Sequence, residues 1–219
     1  MSIEMIKFEN LSEKMPYLSF DNAQDAAKWG ADHYDQWATQ YKKTINLLTA
    51  KYPEYQDVID QYCGYKHAEI NDYLRSGRGV RPEICPDLFT LIHDLRIAIM
   101  SAPAIDQDMI VYRQVPMAVI KNLKPLLPIL DRVYTDPGFL STSLHLDTCI
   151  KTCGDSKIIL KLLVPEGTPA VYVNSIRMRD ELEMLLSTDT QLRLLGRPYT
   201  YKDCRIYPTQ VIPEMAQIG

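Results

Sequence analysis

The sequence predicts an α+β fold, and three observations predict it. From Asp21 to Met100, apolar residues recur at helical spacing in stretches bounded by cap and turn residues. After Pro103 the period changes, and short β-branched or aromatic runs alternate with proline and glycine turns as far as Ile212. Between the halves there is no repeat, low-complexity tract or clear linker. The 219 residues are therefore expected to form one unit, mainly helical over 1–105 and mainly β over 106–219.

Each element has its own signal. Asp21 followed by Gln24 resembles a capping box and opens a helix to about Tyr41, with Ala26, Trp29, His33 and Trp37 on one face. Pro53 suits a first helical turn, starting a stretch through Val58, Ile59 and Tyr62 that Cys63-Gly64 interrupts. A third helix runs from Lys66 to Arg75 and stops at Ser76-Gly77. A fourth, Pro86 to Met100, aligns Leu88, Leu91, Ile92, Leu95 and Ile99 in one stripe before Pro103. Strands are expected at Met109 to Val115, Gly138 to Leu144, Lys157 to Val164, Ala170 to Val173, Leu182 to Leu186, Gln191 to Leu195 and Arg205 to Ile212. Met117 to Leu130 reads as a proline-broken connector with room for a short helix.

Composition removes several function classes. A net charge of -4 disfavours a broad electrostatic grip on nucleic acid. No apolar run approaches the roughly 20 residues that span a bilayer, and Met1 to Met15 lacks the apolar core of a secretory signal. A soluble chain is the expectation. Five cysteines without a dense spacing pattern fit free thiols in a reducing compartment.

Three short pieces stand out, each in or beside an expected strand. Val111-Tyr112-Arg113 puts an arginine mid-strand in an apolar context, and its planar fork suits bidentate contact with phosphate oxygens. Gly138-Phe139-Leu140-Ser141-Thr142-Ser143 follows an Asp136-Pro137-Gly138 turn, and alternation sends Ser141 and Ser143 one way and Thr142 the other. Glu181-Leu182-Glu183 has two carboxylates at period two, leaving from one strand face. Taken singly, each reads as ordinary surface: a strand-edge arginine, a polar strand face, a solvated acidic edge.

In that order, the pieces resemble the mono-ADP-ribosyltransferases of the arginine–serine–glutamate class, which include bacterial toxins, injected effectors and phage enzymes. The likeness runs from about Asp21 to Ile212. It takes in Tyr62, Ile70-Asn71 and Leu74-Arg75, and the strand Ile158 to Gly167 closed by Val-Pro-Glu-Gly. The resemblance implies N-terminal helices packed on a split β-sandwich with an NAD cleft, and an enzyme that moves ADP-ribose from NAD to a protein side chain and releases nicotinamide. NAD is then a substrate, no metal is needed, and the protein acceptor belongs to a host or target cell reached by injection or phage-type delivery.

The same resemblance assigns roles. Arg113 binds NAD phosphate, and the backbone of Gln114 holds the nicotinamide amide. Ser141 steadies the catalytic glutamate and, with Thr142, contacts NAD. Glu183 stabilises the oxocarbenium-like ribose through its 2′-OH, as carboxylates do in glycoside hydrolysis. Glu181 faces the acceptor, which Glu-x-Glu implies is arginine. Asn71 contacts the phosphates or ribose, Tyr62 packs at the adenosine side and Arg75 assists. Asn174 to Asp180 becomes the acceptor loop, without the family's aromatic and with Arg177 and Arg179 disfavouring an arginine acceptor if they face inward. Leu146 to Ser156 lacks the usual aromatic and arginine, leaving Lys151 or Lys157 as substitutes. The alternatives are a hydroxyl acceptor such as threonine, water (NAD glycohydrolysis), or a silent module of the same fold.

Other constellations are thinner. His145, Cys149 and Cys153 share one helical face but lack a fourth metal ligand. Ser141 with His145 has neither the Gly-x-Ser-x-Gly elbow nor a third member. Arg75, Arg78 and Arg81 read as a solvated basic turn, and Cys63, Cys85 and Cys204 as small core residues.

Overall fold

The computed structural model describes residues 17–76, 86–123, 133–152 and 156–213. Helix α1, Ala23–Lys51, is capped by Asn22, whose side chain accepts from the Asp25 amide at 2.8 Å. It starts beside the expected Asp21 and continues well past Tyr41, because no breaker intervenes until Pro53 and Ile45 adds a buried anchor. Its buried face is Ala26, Gly30, Tyr34 and Ala38, with the expected Trp29, His33 and Trp37 flanking it. The face turns toward small residues because α1 lies close on a strand: a Cβ at Gly30 would sit 2.5 Å from the Tyr172 ring.

Pro53 lies in a turn, and the next helix begins instead at the cap Asp57, which accepts from Ile59 N at 3.0 Å. From there α2 (Val58–Gln61), a π-helical turn (Tyr62–Lys66) and α3 (His67–Ser76) run on without a break. The expected interruption at Cys63-Gly64 is thus a widened turn, of the kind that often marks functional sites. Helix α4, Pro86–Ser101, buries Leu88, Ile92, Leu95 and Ile99 as its stripe predicts.

The strands are β1 Met109–Gln114, β2 Val133–Asp136, β3 Leu140–Ser143, β4 Ile158–Val164, β5 Ala170–Tyr172, β6 Glu183–Leu186, β7 Thr190–Leu194, β8 Tyr199–Tyr201 and β9 Cys204–Ile212. Short helices α5 (Met117–Leu123), α6 (Leu146–Thr152) and α7 (Asn174–Arg177) lie between them. Among the described residues the strand order is β2-β7-β9-β4-β1-β3-β6-β5, with β8 beside β9. Neighbours are antiparallel except β4 and β9. The sheet is nearly divided at β1 and β3, which share one registered pair, Tyr112 with Ser143. This is the α+β architecture expected, helices on a sheet that splits at its middle.

β1 is buried on both faces. Met109 and Val111 join the main core with the long helices, while Ile110 and Tyr112 join a second cluster under α6 with Cys149 and Ile206. No described helix is long and apolar enough to cross a membrane.

Candidate active site

Alternation along β1 puts Arg113 on the face of Met109 and Val111, at the end of the strand where the core gives way to the seam. There its Nη1 donates to the Ser141 carbonyl at 2.7 Å, so a side chain bridges strands that backbone ladders no longer join. A cleft of about 330 Å³ opens at this point. Tyr62, Asn71, Arg75, Arg113, Gln114, Ser141, Glu181 and Glu183 all line it. Residues from two helices, three strand ends and a loop, far apart in sequence, are thereby gathered in one place.

Thr142 is the exception. Strand alternation turns it from the cleft, and its hydroxyl donates to Met184 O at 2.7 Å, so a contact between its side chain and a cleft ligand is not what this geometry offers.

Glu183 is 2% exposed. Its Oε1 accepts from Ser141 Oγ at 2.5 Å across the β3–β6 pair. Burial pushes its pKa up, with the Ser141 hydrogen bond and the Arg179 charge opposing. Glu183 Oε2, Arg113 Nε and Gln114 Oε1 are buried polar atoms without a hydrogen-bond partner among the described residues, and all three belong to cleft-lining side chains. Such atoms are costly unless something pairs with them, and a polar nucleotide such as NAD fits that requirement. Burial lowers the Arg113 guanidinium from its ordinary value, with the Asp136 carboxylate opposing.

Glu181 reaches the cleft differently from the period-two expectation. It precedes β6, and the chain turns at Leu182 with φ 50. Ser143 Oγ, also expected on the reacting face, donates to Glu181 O at 2.7 Å and steadies this turn. Arg179 links the two carboxylates: Nη2 donates to Glu181 Oε1 at 2.7 Å, and Nη1 lies 3.3 Å from Glu183 Oε2 while donating to Cys63 O at 3.1 Å in the π-helical turn. Burial acts to lower the Arg179 pKa, but the charges of Glu183 and Glu181 raise it overall. Arg177 instead pairs with Asp60 at 3.0 Å.

Helix α3 is clamped to the turn before β3. Asn71 Oδ1 accepts from Phe139 N at 2.9 Å and its Nδ2 donates to Tyr62 OH at 3.0 Å. Arg75 Nε donates to Asp136 Oδ1 at 2.9 Å, and the same oxygen accepts from Gly138 N at 2.9 Å. A Cβ at Gly138 would fall 2.7 Å from the Arg75 guanidinium and 2.8 Å from Asn71 Oδ1, which is why the turn needs glycine. Asn71 and Arg75 therefore border the cleft and also hold Ser141's strand in place.

Sequence reasoning passed over His67 and gave no site role to Asp136, read as part of a turn, or to Cys63, read as a core residue; His67 and Cys63 line the cleft. Burial pushes the Cys63 thiol up to about 12, which keeps it protonated and unreactive. Of the lysines considered, Lys157 pairs with Asp203 at 2.6 Å and Lys151 is exposed on α6, whereas Thr152 of that helix lines the cleft. Cys149 is fully buried in the second core cluster and the His145 ring meets Thr148 Oγ1 at 3.0 Å. Cys153, Arg78, Arg81 and Cys85 lie outside the described residues.

A family model described as ADP-ribosyltransferase exoenzyme matches residues 26–203. No curated protein matches the sequence. Among solved structures, the chain is similar to C3stau2 from S. aureus with NAD, with 19% identity over 90% of this chain and 99% of that one, at a TM-score of 0.67. It is similar to Plx2a, an ADP-ribosyltransferase toxin from Paenibacillus larvae, with 23% identity over 90% and 99% and a TM-score of 0.66. It is also similar to BECa, an ADP-ribosylating toxin from C. perfringens solved with NADH, with 21% identity, 90% coverage of this chain and a TM-score of 0.65. The chain spans half the length of BECa. At these identities the likenesses carry the fold.

Proposed function

The chain belongs to the ADP-ribosyltransferase exoenzyme family and is an enzyme of that class, and we propose that it moves ADP-ribose from NAD to arginine on a protein acceptor in a host or target cell, by the arginine–serine–glutamate mechanism. The observation that carries this is Glu183: a buried, cleft-lining carboxylate held through one oxygen by Ser141, whose other oxygen accepts no hydrogen bond among the described residues and has only the Arg179 guanidinium at 3.3 Å, in the same cleft as Arg113.

In this reading Arg113 and Gln114 grip the diphosphate and nicotinamide ends. Ser141 fixes the rotamer of Glu183. As the bond from ribose C1′ to nicotinamide stretches, positive charge grows on the ribose, and Glu183 Oε2 bonds the 2′-OH beside it. A preorganised carboxylate is worth most where water is excluded, and Glu183 is buried. Glu181 holds the incoming guanidinium and takes its proton as attack begins. A guanidinium in water titrates far above neutrality and attacks poorly without such a base. Arg179 does face inward, and an incoming guanidinium would have to displace it from Glu181 and Glu183; that the two carboxylates hold a guanidinium at all is what supports the arginine reading.

Glu181→Gln against wild type provides the test. Modification of arginine acceptors should collapse while nicotinamide release from NAD largely persists, and mapped adducts should be guanidino-linked. Adducts on threonine or serine would retire the arginine assignment. Release of nicotinamide with no adduct anywhere would point to water as the acceptor.

A further inference from the structure

Arg179 occupies the place that the reading above reserves for an acceptor. Nη2 is bonded to Glu181 and Nη1 stands 3.3 Å from Glu183 Oε2. The backbone that carries it is fixed. Asn174 receives the Glu183 amide on Oδ1 at 3.0 Å and donates from Nδ2 to Arg179 O, so one side chain ties Arg179 to Glu183 across the loop. Met178 precedes it in the left-handed region at φ 55 and projects outward, 87% exposed. Arg177, two residues away, is outside this arrangement and paired with Asp60.

We propose that Arg179 is itself an acceptor, ADP-ribosylated in cis by the chain that carries it. The inference rests on the arginine-directed reading of the site. With NAD in the cleft, the C1′–nicotinamide bond breaks and its electron pair leaves on nicotinamide. A guanidino nitrogen of Arg179 forms the new C1′–N bond, and the proton it gives up passes to Glu181. The positive charge of the nicotinamide ring ends on the substituted guanidinium, so atoms and charge balance with NAD as the sole co-reactant. An intramolecular guanidinium already held by the base enjoys the high effective concentration of a tethered reactant. The product then fills the acceptor side of the cleft.

The test uses the purified full chain with NAD and no other acceptor, reading nicotinamide release and peptide-mapped adducts together. One ADP-ribose should appear on Arg179 and none on Arg177, with a first-order rate constant that does not change when the protein is diluted. Glu181→Gln should lose the adduct. Nicotinamide release without an adduct on Arg179, equal labelling of Arg177, or a rate that scales with protein concentration overturns the inference and leaves the NAD chemistry standing. Neither nicotinamide nor adduct defeats the underlying reading, and the inference falls with it.

Discussion

Burial of Glu183 makes opposite demands on stability and chemistry, and the two are separable by substitution. Its carboxyl is raised above the ordinary range by burial, so the folded state is penalised for ionising it. The sign follows from linkage: the favourable contribution of the protonated form is complete below the unfolded pKa and is lost as pH rises through the higher folded value. Glu183→Gln should therefore melt at or above wild type at neutral pH, with the advantage disappearing on acidification. Nicotinamide release should fall on the order of 10² or more, the scale of losing one preorganised electrostatic group. The wild-type rate should rise with pH through a limb above the usual carboxylate range. Thermal melts and rate profiles on the two proteins check all three. On the proposed reading Arg113 acts through binding, and a charge-assisted contact is worth roughly 1.5–3 kcal/mol. Arg113→Ala should weaken NAD at least about tenfold by calorimetry on folded protein. Arg113→Lys should recover only part, because it keeps the charge and loses the fork that spans Ser141 O and the cleft.

Among the elements, α1 illustrates what periodicity can and cannot reveal. Its existence was legible, but its buried face was only partly so: Ala26 was placed on it, while the sequence offers Trp29 and Trp37 on one side and Tyr34 between Gly30 and Ala38 on the other. Contact with Tyr172 decides between them, and that partner lies far along the chain. Gly30→Ala should lower stability by about 1–3 kcal/mol through overpacking against the ring. Gly64→Ala is the contrast: its Cβ would lie 4.0 Å from Arg177 Nη2, so the substitution should be neutral or stabilising by up to about 1 kcal/mol. Denaturant titration of both variants gives the comparison. Strands β2 and β8 escaped detection because they are short and largely exposed, without an apolar alternation to mark them. Helix α6 did leave a signal, Leu146, Cys149 and Ile150 at helical spacing, overshadowed by the strand and loop around it.

At the scale of the molecule, most of the residues that line the candidate cleft could be read in the sequence because they stand at or beside strand ends, and strands were the clearest elements. Its assembly could not. The convergence of Glu181 with Glu183 depends on a left-handed turn at Leu182, which no strand pattern foretells. The pairing of Arg75 with Asp136 and the gathering of Arg179 by two carboxylates are long-range or loop geometry that local spacing does not encode. The seam between β1 and β3 has a further consequence. Arg113 and Gln114 stand on one side of it, Ser141 and Glu183 on the other, with one ladder pair and one side-chain hydrogen bond between them among the described residues. A dinucleotide that grips both sides acts as a stitch across that seam, adding RT ln(1 + [L]/Kd) to a protein that is otherwise joined there by little. Amide exchange should therefore be faster around Tyr112 and Ser143 than in the β4–β9 ladder of the free protein. Saturation with NADH, which lacks the cationic leaving group, should slow it there more than anywhere else in the sheet.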